Sequence, residues 1–176
     1  MSHDNVLKIE TQALPLENGS VRWLVQLIVD GRDLIERLRE HEMPFALREE
    51  APQIAGAYAG LDVESITPGH FLGQPEPMHA CGENYERVAL LECECGCAGC
   101  WPFAARIKVT NTTVRWSDFE QPHRRKDAAA GWWDYSGFGP FEFARDVYQV
   151  ELMKIRNARD LYLRSSLAAK MPSRQD

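Results

Sequence analysis

Four cysteines fall within eight residues in the run Cys93-Glu94-Cys95-Gly96-Cys97-Ala98-Gly99-Cys100. Thiolates at this density suit zinc, whose closed sites are built from four sulfur or nitrogen donors in a tetrahedron. On an extended strand, same-face neighbours such as Cys93 and Cys95 lie about 6.6 Å apart at Cα. Sulfurs around one zinc ion sit about 3.8 Å apart, from a Zn–S distance of about 2.3 Å. The backbone must therefore curl, and Gly96 and Gly99 accept the positive φ that a curl demands. The spacing predicts a strand end folding into a metal knuckle.

Other uses of the same thiols stay open. They include free thiols, some buried as small hydrophobes, and a redox pair in Cys97-Ala98-Gly99-Cys100. A redox-active pair normally opens a helix, whereas Pro102 and a strand pattern follow here. A catalytic zinc would need an open coordination position. Three or four thiolates leave the ion with a net charge of about -1 or -2. Arg106 and the basic knot His123-Arg124-Arg125-Lys126 are candidate counter-charges, and His123 is also a candidate imidazole ligand.

The remaining chemistry-bearing residues are sparser. His70 and His79 flank a Pro/Gly-rich loop, and Cys81 follows His79 by two residues, which admits a second metal site or a Cys–His dyad as well as ordinary loop histidines. Ser117, Asp118 and His123 are the residue types of a hydrolase triad, but no Gly-x-Ser-x-Gly elbow surrounds Ser117. Asp118 and Glu120 alternate along a strand about 6–7 Å apart and suit either a carboxylate pair or a solvent face. No Gly-rich phosphate loop is present.

The elements that must position these groups follow from periodicity. Residues 6–13 and 20–29 read as a hairpin turning at Asn18-Gly19, with Trp23, Val25, Leu27 and Val29 on one face. Leu24 and Ile28 make the other face partly apolar, which suits a central strand. Asp33 and Glu36 form a capping box for a short helix that Pro44 should stop. Residues 44–84 read as loops with one short helix around 50–59, a long irregular stretch of the kind that often binds. In the strand Arg87–Cys95, alternation puts Ala89, Leu91, Cys93 and Cys95 inward and Glu92 and Glu94 outward. Phe103, Ala105, Ile107 and Val109 begin a second hairpin that Val114 and Trp116 continue past a turn near Asn111. The aromatic run Trp132–Phe143 should fill core with Phe141 and Phe143, while Trp132 and Trp133 suit a ligand wall as well as they suit the core. A helix from Ala144 to Leu167 carries Tyr148, Leu152, Ile155 and Tyr162 on one side. The expected fold is α+β: a mainly antiparallel sheet built from hairpins, packed against a long C-terminal helix, with residues 1–176 in a single domain.

Composition narrows the function classes. Hydrophobic residues make up 44% and charged residues 26%, so a packed core rather than disorder is expected. A net charge of -6 disfavours general nucleic-acid binding, which needs a basic face. From Lys154 onward six basic side chains oppose two acidic ones, a net of +4 and a possible surface for an acidic partner. No apolar run reaches the ~20 residues of a membrane span, and the first residues lack a signal-peptide pattern. A cytoplasmic, reducing compartment is the expectation, which favours metal ligation over disulfides.

Three segments together resemble a family of bacterial proteins to which no activity is assigned. They are Cys93-x-Cys95-Gly96-x-x-Gly99-Cys100-Trp101-Pro102, Val114-x-Trp116-x-x-Phe119-x-x-Pro122-His123-Arg124 and Phe138-Gly139-Pro140-Phe141-x-Phe143. A strand followed by Asp30-Gly31-Arg32 precedes them, as in the family, and the resemblance spans about two thirds of the chain. It implies that Cys93, Cys95, Cys100 and His123 are the metal ligands, because Cys97 falls at a variable position. Cys97 and Cys81 are substitutes for the fourth place. The segment Lys126–Trp132 is longer here than in the family. The functional expectation is a non-catalytic binding or interaction domain with a structural zinc knuckle, its partner a protein or a small molecule. A thiol oxidoreductase using Cys97 and Cys100, or a zinc-dependent hydrolase, is the alternative.

Overall fold

The computed structural model describes residues 4–17 and 19–170, with side chains through Arg164. Asn18 of the first turn and Arg174 and Asp176 of the basic tail lie outside the described residues. Antiparallel sheets pack with a long C-terminal helix and a shorter one, giving an α+β fold.

The first sheet runs β1 (Leu7–Pro15), β2 (Val21–Val29) and the two-residue β3 (Arg32–Asp33), in that order. Pairing of Leu7 with Val29 through Pro15 with Val21 makes the hairpin, and β2 is the central strand. Its inward residues Val25, Leu27 and Val29 are at most 1% exposed, whereas Trp23, on the same alternation, is 38% exposed near the hairpin tip.

Asp33 caps α1 (Leu34–Arg48), its Oδ1 accepting from the amides of Ile35 at 2.7 Å and Glu36 at 3.4 Å. Pro44 was expected to stop this helix, but the helix runs through it to Arg48. A proline inside a helix costs about 3 kcal/mol, and tertiary contacts after it offset that cost. Ala46 is fully buried, and Phe45 stacks on Trp133 with ring centroids 6.0 Å apart.

The second sheet has the order β4-β6-β7-β8-β9, with β5 also paired to β6. Its strands are β4 (Tyr58–Gly60), β5 (Ala80–Cys81), β6 (Arg87–Cys93), β7 (Phe103–Val109), β8 (Thr113–Glu120) and β9 (Phe141–Ala144). In place of a helix around 50–59 stand a single 3-10 turn at Pro52–Ile54 and then β4, too short to show periodicity. Val88 to Glu92 are all under 5% exposed, so β6 is covered on both faces. The expected in–out alternation therefore fails at Glu92, which is buried, and at Cys95, which lies past the strand end and is exposed.

Helix α2 (Arg145–Lys170) buries Tyr148, Leu152 and Ile155. Tyr148 accepts from Trp116 Nε1 at 3.1 Å and donates to the Phe71 carbonyl at 2.7 Å, so its buried hydroxyl is satisfied. Trp133, Phe138, Phe141 and Phe143 are buried and Trp132 is half exposed, which assigns most of the aromatic run to the core.

Candidate metal centre

Strand β6 delivers Cys93 to the sheet end, and two tight turns then bring later sulfurs back to it. Gly96 N–H donates to the Cys93 carbonyl at 2.9 Å, and Cys100 N–H to the Cys97 carbonyl at 3.2 Å. Gly96 and Gly99 have φ of 76° and 74°, the left-handed conformation that the sequence required of them. The Sγ atoms of Cys93, Cys95 and Cys100 lie within 4.8 Å of one another. Closing to the ~3.8 Å separation around tetrahedral zinc takes about an ångström of side-chain rotation.

The backbone is also aimed at the sulfurs. Cys95 N–H points at Cys93 Sγ and Cys97 N–H at Cys95 Sγ, each at 3.5 Å. Such donors stabilise thiolate charge. The Cys97 amide, followed by the Cys93 thiol, draws the Cys95 thiol down to about 7. Cys100 is pushed up to about 11, first by its hydrogen bonds to Cys95 and then to Cys93. Cys97 is raised by its hydrogen bond with Cys95. Cys95 thus ionises ahead of Cys97 and Cys100, whose thiols are held up.

The counter-charge at the knuckle comes from Arg22 of β2, whose guanidinium lies against Gly96 and whose Nε holds Asp62 Oδ2 at 2.9 Å. Arg106, a candidate from the sequence, is paired with Asp118 at 3.0 Å. The +4 tail lies on α2 and beyond the described residues.

The proposed ligands fall into two groups. Cys93, Cys95 and Cys100 converge. His123 stands beside them, with Nε2 at 3.2 Å from the Gly99 carbonyl and its ring stacked on Trp101 at 6.0 Å and 16°. Arg124 continues the ladder, over Trp101 at 5.4 Å and Trp133 at 4.4 Å, while pairing with Glu49 at 2.8 Å. Neither Cys97 Sγ nor a ring nitrogen of His123 lies within 4.8 Å of all three converging sulfurs. Cys81 pairs with Arg87 at the opposite end of β6, about 20 Å along the strand from Cys93.

Beyond this ladder opens a cleft of about 810 Å³, lined by Arg87, Arg115, Lys126, Trp132 and Tyr135 among others. Asp118, with φ of 51°, interrupts the alternation of β8, so Asp118 and Glu120 do not form a regular same-face pair. Asp118 binds Arg106 and His123 meets Gly99, which leaves the Ser117–Asp118–His123 set engaged elsewhere.

The sequence singled out His79 but did not announce that Glu42 and Glu92 are buried. Glu42 is fully buried, accepting from Gly56 N–H at 2.7 Å, Tyr58 Oη at 2.7 Å and Tyr135 Oη at 2.6 Å. His79 approaches Glu92 Oε1 through Nδ1 at 2.7 Å and Ser65 Oγ through Nε2 at 3.1 Å. Nothing local flags either, since their partners lie 13 or more residues away; a lone glutamate between apolar helix positions was the sole hint. Comparison with protein-family models, with curated proteins and with solved structures finds no match.

Proposed function

We propose that this is a binding domain of the bacterial family described above, whose cysteine knuckle holds a structural zinc ion and takes no part in catalysis. The observation that carries the reading is the convergence of three sulfurs under two backbone N–H donors at a sheet end. The fourth position falls to His123, already held against the knuckle by Gly99 and Trp101. The ion then ties the β6–β7 connection to the segment after β8, and through Trp101 and Arg124 it steadies the wall of the 810 Å³ cleft, where a small molecule or a protein segment binds. A thiol oxidoreductase built on Cys97 and Cys100 needs one of that pair depressed, and both are raised; the depressed thiol, Cys95, belongs to the three converging sulfurs. The cytoplasm is the compartment this reading assigns, because unpaired cysteines suit a reducing environment. Among the described residues no helix is long and apolar enough to cross a membrane.

Metal analysis of the purified protein tests the proposal. One zinc per chain is expected, lost in Cys95→Ser together with thermal stability, and weakened less in His123→Ala. Ligation would contribute less than the roughly 10–16 kcal/mol of isolated zinc-finger peptides, because this domain has its own core. Metal-free protein that melts like the zinc-loaded form sinks the reading.

A further inference from the structure

Behind the knuckle lies a second pocket, of about 440 Å³, lined by Arg22, Asp62, Ser65, Met78, His79 and Glu92 among others. Three of these residues form a relay. Glu92 Oε1 stands 2.7 Å from His79 Nδ1, an ion-pair contact off the hydrogen-bond line, and among the described residues neither atom has a hydrogen-bond partner. His79 Nε2 stands 3.1 Å from Ser65 Oγ. His79 is 1% exposed and Glu92 4%, while Ser65 is only half-buried and faces the pocket. A buried carboxylate orienting an imidazole toward a reachable hydroxyl is the arrangement of nucleophile, base and orienter that acyl-transfer enzymes use on unrelated folds.

We propose that Ser65, His79 and Glu92 form a hydrolytic site for a carboxylic ester, an activity beyond the zinc-stapled binding role. The elements set the geometry. Strand β6 carries Glu92, the 3-10 turn Pro77–His79 carries His79, and a turn bridged to β2 through Asp62 carries Ser65. In the tautomer that carries its proton on Nδ1, toward Glu92, Nε2 presents its lone pair to Ser65. The hydroxyl rests on the Asp62 carbonyl at 2.9 Å and rotates onto Nε2 for attack.

The step balances within the site. Ser65 Oγ bonds to the ester carbonyl carbon, its proton passes to His79 Nε2, and the carbonyl π pair moves onto oxygen. Arg22, held by Asp62 at 2.9 Å on the wall of the same pocket, is the cation nearest in charge and place to serve that oxyanion. The carbonyl of Ser65, also 3.1 Å from Nε2, accepts from the imidazolium while it lasts. Collapse breaks the carbon–alkoxy bond, and His79 returns the proton to the leaving alkoxide. Water then repeats the sequence on the acyl-serine and releases the acid. Glu92 touches only the imidazole and acts as a positioning residue. The apolar Met78, 59% exposed at the rim, gives the acyl chain a surface to lie on.

The test treats the purified full chain with a fluorophosphonate probe and maps the adduct by mass spectrometry, with p-nitrophenyl acetate hydrolysis in parallel. Expected are a single adduct on Ser65, none in Ser65→Ala, and labelling slowed by about 10²–10⁴-fold in His79→Gln. Glu92→Gln should lower kcat on the order of 10²–10⁴-fold with KM unchanged, a split that a merely structural role does not produce. If His79→Gln or Glu92→Gln loses the wild-type melting profile, Ser65→Ala decides alone, because deleting one hydroxyl leaves the fold intact. No adduct, an adduct on another residue, or ester hydrolysis undiminished in Ser65→Ala overturns the proposal.

Discussion

Arg22 lies against the bare Cα of Gly96: a β-carbon there would overlap Arg22 Nη1. At Gly99 nothing would meet a β-carbon within 4 Å, although its φ is also positive. Gly99→Ala therefore loses only the left-handed strain term, about 1–2 kcal/mol. Gly96→Ala loses that and also displaces Arg22 from Asp62. Zinc competition against a chromogenic chelator should rank the affinities wild type, Gly99→Ala, Gly96→Ala. Equal losses would show that Arg22 contributes nothing at the knuckle.

The thiols of the metal-free protein should alkylate in a fixed order. Cys95, drawn down to about 7 by the Cys97 amide, carries much thiolate at neutral pH, whereas Cys100, near 11, carries almost none. Mass spectrometry after brief iodoacetamide treatment should find Cys95 modified first. Zinc should protect Cys93, Cys95 and Cys100 together, and zinc affinity should fall with acidity because ligation expels protons. Cys100 reacting ahead of Cys95 would contradict the backbone geometry around the sulfurs.

Glu49→Ala should cost roughly 2–4 kcal/mol, below the upper range for a fully buried pair because Glu49 keeps some solvent contact. The loss has two parts. Arg124, with a side chain only 7% exposed, would be left unpaired, and Trp133 Nε1 would lose its 2.7 Å acceptor. Urea denaturation followed by tryptophan fluorescence reads both the stability and the environment of Trp133.

The buried Glu42 makes stability depend on pH in an unusual direction. Burial is the largest influence and raises its carboxyl, against the Gly56 amide and the two tyrosine hydroxyls, which lower it. A carboxyl raised in the folded state holds its proton more tightly there than in the unfolded chain. Its contribution is therefore fully present below the ordinary carboxylate range and is lost as pH rises through the raised value. Glu42→Gln cannot titrate, and its amide group facing Gly56 N–H imposes a loss of about 1–3 kcal/mol that does not vary with pH. The stability difference between wild type and variant should thus shift against wild type as pH rises above the ordinary carboxylate range. A difference that moves the opposite way would mean the hydrogen bonds outweigh burial.

Much of this molecule was legible in the order of its residues. Period-two alternation marks both hairpins, Asp33 marks the start of α1, and the apolar stripe Tyr148, Leu152 and Ile155 marks the buried side of α2. The cysteine density with Gly96 and Gly99 announces the curl, because ligand type and backbone freedom are local properties. Local rules fail where distant segments supply the energy. Pro44 remains inside α1 because Ala46 and Phe45 find partners beyond it. Glu92 turns inward because β6 is covered on both faces and His79 waits there, and Glu42 is tolerated in the core because Tyr58 and Tyr135 arrive from other segments to bind it. Which cation stands at the knuckle, Arg22 rather than Arg106, depends on how the two sheets meet. Periodicity and ligand chemistry act within a few residues and are written in the chain. Charge pairing and burial act through space, so they exist only once the sheets and helices have packed.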